Sequence, residues 1–297
     1  MAETSRFDGL VDRVAELYAG EKPAEALALL EAESAGLEPW AADLAHLKAC
    51  LLGVSGDADG ALRTLQEASA AGLWWDPSIL TGDDDLAALQ DRPEFQELVA
   101  VSGERVSDDP VAPLIELPKG SVAGTVVALH GAGQRAAQAA EDWAGVLELG
   151  YALVCPTSSR RMTPMYRTWP DREKATADIA RALGELPVEL AGGPVIAAGF
   201  SAGGRAALDW ALTARPSQPA GVLAMGPALR ELPGTAAGKL SRATIWIGTE
   251  DGLLTTVTDA EEQLTELGLT VERVPELGHT FPADFSERLQ QLLGQDS

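Results

Sequence analysis

Cysteine is nearly absent from this sequence. Cys50 and Cys155 are the two it has in 297 residues, and neither has a near neighbour. That spacing argues against a disulfide framework or a zinc site and predicts two buried, reduced thiols. Histidine is as scarce, with three residues, so any chemistry that needs an imidazole has few places to be. Basic side chains number 22 against 45 acidic ones, for a net charge of -23. Such an excess of negative charge disfavours nucleic acid and anionic membrane surfaces as partners. Long apolar runs are missing too, and none approaches the roughly 20 residues of a membrane span. The opening stretch "MAETSRFDGLVDRVAELYAGEKP" has no basic segment followed by an apolar one. It reads as an amphipathic helix and not a signal peptide, so a cytoplasmic location is expected.

What is present divides into two patterns. Up to about residue 104 the apolar residues recur at three and four positions, as in "FDGLVDRVAELY", "PAEALALLEAESAGL" and "DLAHLKACLLGV", which predicts helices. "ALALLEAESAGL" from Ala26 and "ALRTLQEASAAGL" from Ala61 resemble each other at an offset of 35, aligning Leu27 with Leu62, Leu30 with Leu65 and Ser34 with Ser69. This resembles the period of tetratricopeptide repeats; a generic helical bundle is the other reading. Asp84 or Asp85 is expected to cap a helix over "LAALQ", and Asp91 one that begins near Pro93. Trp74 and Trp75 read as packing residues, Asp83-Asp84-Asp85 as a solvated turn and His46 as a face residue of the repeat. "GDADG" (56–60) begins like a calcium loop, but Ala61 stands where an oxygen ligand is needed. The acidity is concentrated in this half, and "SGERVSDDPVAP" (102–113) reads as a linker.

Beyond the linker, short apolar runs alternate with helical patterns. Strands are expected at 113–117, 125–130, 151–155, 194–200, 220–225, 243–248 and 270–275. Helices are expected at 135–148, 172–186, 202–214, 257–267 and 283–294. This alternation predicts an α/β domain (111–297) with a mainly parallel sheet, preceded by a small all-helical domain (1–104). Ligands of such sheets bind beyond the carboxyl ends of the strands.

The stretch "VIAAGFSAGGRAALDWAL" places Ser201 between an apolar run and a helical pattern, in a G-x-S-x-G frame. There a serine hydroxyl stands exposed on a sharp strand-to-helix turn, and Gly199 and Gly203 permit close packing of strand and helix. A helix-capping serine is the plainer alternative. A nucleophilic serine needs a base and an orienting carboxylate. Of the three histidines only His279, in "ELGHTFP", follows Ser201. Asp251 in "IWIGTEDGLL" is the preferred acid, with Glu250 the alternative. Ala202 should supply one oxyanion N–H, and Ala132 or Gly131 in "HGAGQ" the other. His130 reads as a structural strap of that loop.

Taken in order, "ALHGAG", "GFSAGG", "IGTEDG" and "GHTFP" make the second half similar to the α/β-hydrolase family, among its carboxylesterase, acylhydrolase and dienelactone-hydrolase types. The resemblance implies the α/β-hydrolase fold and a Ser201–His279–Asp251 triad acting on a small-molecule ester or thioester through an acyl-enzyme. It implies no metal or organic cofactor. It does not reach residues 1–104, which could lid the site, dock a protein partner or form a dimer contact. The loop 156–175 could wall the pocket with Met162, Met165, Tyr166 and Trp169 and meet a substrate anion with Arg160, Arg161 or Arg167; alternatively its aromatics pack on the helical domain. Two further readings stay open: an acyltransferase or thioesterase of a biosynthetic pathway, and a non-catalytic helical adaptor with a degenerate hydrolase domain.

Overall fold

The computed structural model describes residues 2–190 and 192–294, with side chains from residue 6 onward. The chain divides into two compact units: residues 1–108 with 161–166, and residues 109–160 with 167–297. The short segment 161–166 thus goes with the helical unit, although the sequence reading places it wholly in the second domain. Among the described residues no helix is long and apolar enough to cross a membrane.

The helical unit runs through α1 (Ala2–Ala19), α2 (Pro23–Glu33), α3 (Ala41–Val54), α4 (Ala58–Ala70), α5 (Pro77–Thr81) and α6 (Pro93–Arg105). Chain-adjacent helices pack on one another from α1 to α4. The 35-residue offset lays α1 over α3 and α2 over α4, so the internal similarity marks two consecutive helical hairpins. Two apolar clusters result, one around Leu10, Leu30, Leu37 and Leu51, the other around Leu62, Leu65, Trp75 and Phe95, and α3 contributes to both. Trp75 is fully buried, and its indole N–H donates to the Ala42 carbonyl. Two capping expectations are corrected. The 3-10 turn Asp84–Leu89 is capped by Asp83, whose carboxylate accepts from the Asp85 N–H at 3.0 Å. Arg92, not Asp91, stands at the N-cap of α6, without a side-chain cap. Asp57 in the rejected calcium-like stretch caps α4 through the Gly60 N–H.

The second unit is built on β1 (Leu114–Glu116), β2 (Gly124–Leu129), β3 (Tyr151–Cys155), β4 (Val195–Phe200), β5 (Gly221–Met225), β6 (Arg242–Gly248) and β7 (Thr270–Val274). They form one seven-stranded sheet in the order β1-β3-β2-β4-β5-β6-β7. Only β1 runs antiparallel, pairing with β3 at the edge. Around the sheet stand α7 (Ala136–Trp143), α8 (Gly145–Glu148), α9 (Arg172–Gly184), α10 (Ala202–Thr213), α11 (Leu254–Asp259), α12 (Glu261–Glu266) and α13 (Phe285–Leu293).

The strands read as continuous apolar runs because both faces are covered. Val127, Leu129, Val154, Ala197, Val222, Ala224, Ile245 and Ile247 face a core shared with α9, α10 and the α11–α12 region. The alternate residues Val126, Ala128, Leu153, Ile196, Ala198, Leu223, Met225 and Trp246 face a second core with α7, α8 and α13. Cys155 is fully buried in that second core, where burial pushes its thiol pKa up and keeps it protonated.

Candidate active site

The sharpest local feature lies where β4 meets α10. Ser201 has φ 53° and ψ -118°, a region L-residues avoid, at a cost of about 1–3 kcal/mol. Three backbone bonds hold it there. Its N–H donates to the Met225 carbonyl at 2.9 Å, and its carbonyl accepts from Arg205 at 3.0 Å and Ala228 at 3.1 Å. The Ser201 side chain makes no capping bond to α10, so the helix-capping role does not describe it. Gly199 and Gly203 are required by close approach: a Cβ on Gly203 would stand 2.2 Å from the Leu129 carbonyl oxygen, and one on Gly199 would stand 2.4 Å from the Gly203 oxygen.

His279 follows β7, and Asp251 follows β6. The His279 Nδ1 and an Asp251 carboxylate oxygen (Oδ2) are 2.8 Å apart, and the Asp251 side chain is fully buried. The other carboxylate oxygen accepts from the Leu253 N–H at 2.8 Å, which fixes the acid's rotation. Because Nδ1 is held by the carboxylate, Nε2 is the nitrogen left with a lone pair. The imidazole is partly exposed and packs at a tilt of 33° against the ring of Phe200, the residue before Ser201, with ring centroids 4.7 Å apart. Gly226 closes the group. It has φ 50°, and a Cβ there would lie 3.0 Å from Asp251 Oδ2 and 3.2 Å from the His279 ring. Its neighbour Met225 accepts the Ser201 amide. Ser201, Asp251 and His279 therefore gather beyond the carboxyl ends of β4, β6 and β7, with Gly226 after β5 between them. Glu250, the other acid weighed, is exposed, and its N–H donates to the Leu277 carbonyl.

The loop after β2 corrects one expectation. The Gly131 N–H donates to Gln134 Oε1 at 2.8 Å, and the Gly133 N–H donates to the Arg167 carbonyl at 2.8 Å. Gly131 is thereby removed as an oxyanion donor, because its one N–H is already spent inside its own loop. The Ala132 N–H has no partner among the described residues, and Ala202 offers its N–H at the start of α10, where the helix dipole is positive.

His130 straps this loop from beneath. It is fully buried. Its Nδ1–H donates to the Gly131 carbonyl at 2.7 Å, and its Nε2 accepts from the Ser158 N–H at 3.1 Å. Both bonds require one neutral tautomer. Burial, chiefly, lowers its pKa to about 4. Its role is positioning. An unfolded histidine titrates near 6.5, so as pH falls below that the unfolded chain takes up a proton the folded one refuses. Stability is therefore undiminished above about 6.5 and is lost progressively toward pH 4, on the order of 3 kcal/mol for this group alone. Urea titrations at pH 7 and pH 4.5 should show a smaller pH-dependent loss for His130→Gln than for the unaltered chain. Equal losses in both would rule out this linkage.

The loop residues expected near the substrate divide between the two units. Met162 accepts the Asp76 N–H through its carbonyl, and Thr163 bonds Asp43. Met165 packs in the core of the first helical hairpin, and Tyr166 is half-buried with Asp43 nearby. These contacts are internal to the helical unit. Trp169 is buried in the sheet unit and donates its indole N–H to the His130 carbonyl at 2.8 Å. Arg161 lies over Trp74 and bonds Ser107, while Arg167 pairs with Asp109 and bonds the Ser158 carbonyl. The Arg167 guanidinium is thereby engaged within the sheet unit. What the sequence reading missed is Gln134, whose side chain selects the free N–H of the loop.

Comparison with known proteins finds similarities for each unit. Residues 6–109 match the model of the A/B hydrolase-like N-terminal domain. No curated protein is detectably similar. A solved structure of an uncharacterized protein from Bacillus cereus shares 24% identity over 96% of each chain, with a TM-score of 0.51. A phospholipase/carboxylesterase from Dyadobacter fermentans shares 20% identity over 64% of this chain and 98% of its own, with a TM-score of 0.49. The acyl-protein thioesterase 2 of Zea mays shares 19% over 60% and 96%, with a TM-score of 0.46. Residues 6–109 are thus similar to the A/B hydrolase-like N-terminal domain, and the sheet unit that follows has the α/β-hydrolase fold.

Proposed function

We propose that the protein is a serine hydrolase that cleaves a carboxylic ester or thioester through a covalent acyl-enzyme. The observation that carries this reading is the buried Asp251 carboxylate 2.8 Å from His279 Nδ1, beside a serine held at φ 53° on its turn. Strain at such a corner persists only where the surroundings over-determine it, and a buried carboxylate on Nδ1 is the arrangement that makes the opposite nitrogen a base.

In this reading His279 Nε2 takes the Ser201 hydroxyl proton as Oγ attacks the carbonyl carbon. Asp251 holds the tautomer and stabilises the imidazolium. The negative oxygen of the tetrahedral intermediate is received by the N–H groups of Ala202 and Ala132. His279 then returns its proton to the departing alkoxide or thiolate. A water, deprotonated in turn by His279, releases the acid and restores Ser201. Every step uses side chains and backbone of the sheet unit.

Hydrolysis of a graded series of p-nitrophenyl acyl esters tests the reading and sizes the acyl site by its chain-length optimum. Asp251→Asn should retain the fold and lower kcat by roughly 10⁴-fold, since the amide favours the wrong imidazole tautomer. Full activity in that variant would remove Asp251 from the reaction. Labelling by a fluorophosphonate separates the enzyme from a non-catalytic adaptor: a folded protein that neither labels nor turns over ester would overturn the hydrolase reading.

A further inference from the structure

Three side chains of the helical unit, distant in sequence, converge on one point. His46 and Cys50 are one turn apart on α3, and Asp83 precedes the 3-10 turn Asp84–Leu89. Cys50 Sγ lies 3.6 Å from His46 Nε2 and 3.2 Å from Asp83 Oδ2, and His46 Nε2 lies 3.4 Å from that same oxygen. An i, i+4 pair on a helix presents both side chains on one face; a loop carboxylate meets that face here. We propose that His46, Cys50 and Asp83 form a binding site for a divalent transition-metal ion of the zinc type.

The argument begins with distances. Zinc binds thiolate sulfur at about 2.3 Å and imidazole nitrogen and carboxylate oxygen at about 2.0–2.2 Å, almost always tetrahedrally. The edges of that tetrahedron come to about 3.5 Å for sulfur–nitrogen, about 3.3 Å for nitrogen–oxygen and about 3.5 Å for sulfur–oxygen. The three measured separations fall within about 0.3 Å of those edges. Cys50 Sγ also lies 3.9 Å from His46 Nδ1, so the imidazole must turn about its own side-chain bonds, with the backbone unmoved, for Nε2 to aim at an ion shared with the sulfur and the carboxylate. The donor set is one sulfur, one nitrogen and one oxygen. This mixture suits zinc and cobalt and disfavours calcium and magnesium, which take oxygen alone.

The donors are also held from behind. The second oxygen of Asp83 accepts the Asp85 N–H at 3.0 Å, which turns Oδ2 toward the other two. Asp85 in turn accepts the Tyr18 hydroxyl at 2.7 Å, tying α1 to the same turn. Cys50 is buried, while the His46 and Asp83 side chains are 19% and 28% exposed. An ion can reach the group past those two side chains. The same contacts without a metal would be a hydrogen-bonded thiol–carboxylate–imidazole cluster, and the test must separate the two.

Titration of the full chain with Co²⁺, after dialysis against a chelator and a thiol-free reductant, reads the site directly. One ion per chain should bind, with the intense visible bands of tetrahedral cobalt and a thiolate charge-transfer band in the near ultraviolet. Added Zn²⁺ should abolish both by displacement. Cys50→Ser should remove the charge-transfer band, and Cys155→Ser, which alters a thiol buried in the sheet, should leave it. Asp83→Asn keeps the cap of the 3-10 turn and so the fold, and should weaken binding by about tenfold or more. A full chain that gives no thiolate–cobalt band, or a band that survives Cys50→Ser, would overturn the site.

Discussion

Ser201→Ala is expected to abolish ester turnover while leaving the protein folded. Every step assigned above passes through Oγ, and the covalent intermediate cannot form without it. Removal of one member of such a triad costs about 10⁴–10⁶ in kcat, with a remainder from oxyanion stabilisation and binding. The fold should be indifferent to the change, because the side chain makes no capping bond and the turn is held by the backbone bonds to Met225, Arg205 and Ala228. Alanine keeps the Cβ and so keeps the strain at φ 53°. Ser201→Gly releases it and should raise stability above that of Ser201→Ala by about 1 kcal/mol, the cost of a left-handed non-glycine residue. The two variants should be equally inactive and differ in urea midpoint. Turnover that survives in both would move the nucleophile away from this corner; equal midpoints would show the turn to be unstrained.

The fold was legible because its signals are redundant. Each buried strand is an unbroken apolar run, since both faces are covered, and each is bounded by a helical period. The glycines beside Ser201 were legible for the same reason, as their spacing admits one geometry. The detail around them was less so. Glu250 and Asp251 both follow β6, and nothing in "GTEDG" separates them; the difference is that Asp251 is buried with Leu253 N–H on one oxygen while Glu250 is exposed. Gly131 and Ala132 looked equivalent as donors until Gln134 closed on the first of them. Asp83 rather than Asp84 or Asp85 caps the 3-10 turn, a choice made by backbone angles no composition reports. That Met162, Met165 and Tyr166 go with the helical unit was not legible, because a sequence does not show which unit a crossing segment joins. His46, Cys50 and Asp83 were read separately, as a face residue, a buried thiol and part of a solvated turn, for a related reason: Cys50 and Asp83 stand 33 positions apart, and the helical hairpin alone brings them together.

Gly203→Ala carries the largest expected effect on stability, and the reason lies in the backbone. The added Cβ would sit 2.2 Å from the Leu129 carbonyl oxygen and 2.4 Å from that of His130. Real Cβ atoms do not approach backbone oxygens so closely, and neither oxygen ends a flexible side chain that could swing aside. Either α10 lifts from the sheet or the end of β2 is pushed away. Both movements disturb buried packing, because Ala206, Ala207 and Leu129 share one core. Overpacking of this kind costs about 1–3 kcal/mol where side chains can adjust, and a backbone clash belongs at or above the upper end. A loss of about 3 kcal/mol corresponds to a fall in Tm of roughly 10 °C for a unit of this size. Gly184→Ala is the matched control. It ends α9 with nothing near its Cβ, so it should be neutral or slightly stabilising. The displacement also has a direction that matters for catalysis. Leu129 and His130 lead into the loop that presents Ala132, so at a temperature where Gly203→Ala remains folded its kcat should still fall, whereas KM for a small ester should change less. A variant that melts with the unaltered protein would show that strand and helix do not meet as closely as the Gly203 contacts require. A variant that melts early but turns over at full rate would separate the packing of α10 from the oxyanion loop and remove Ala132 as a donor.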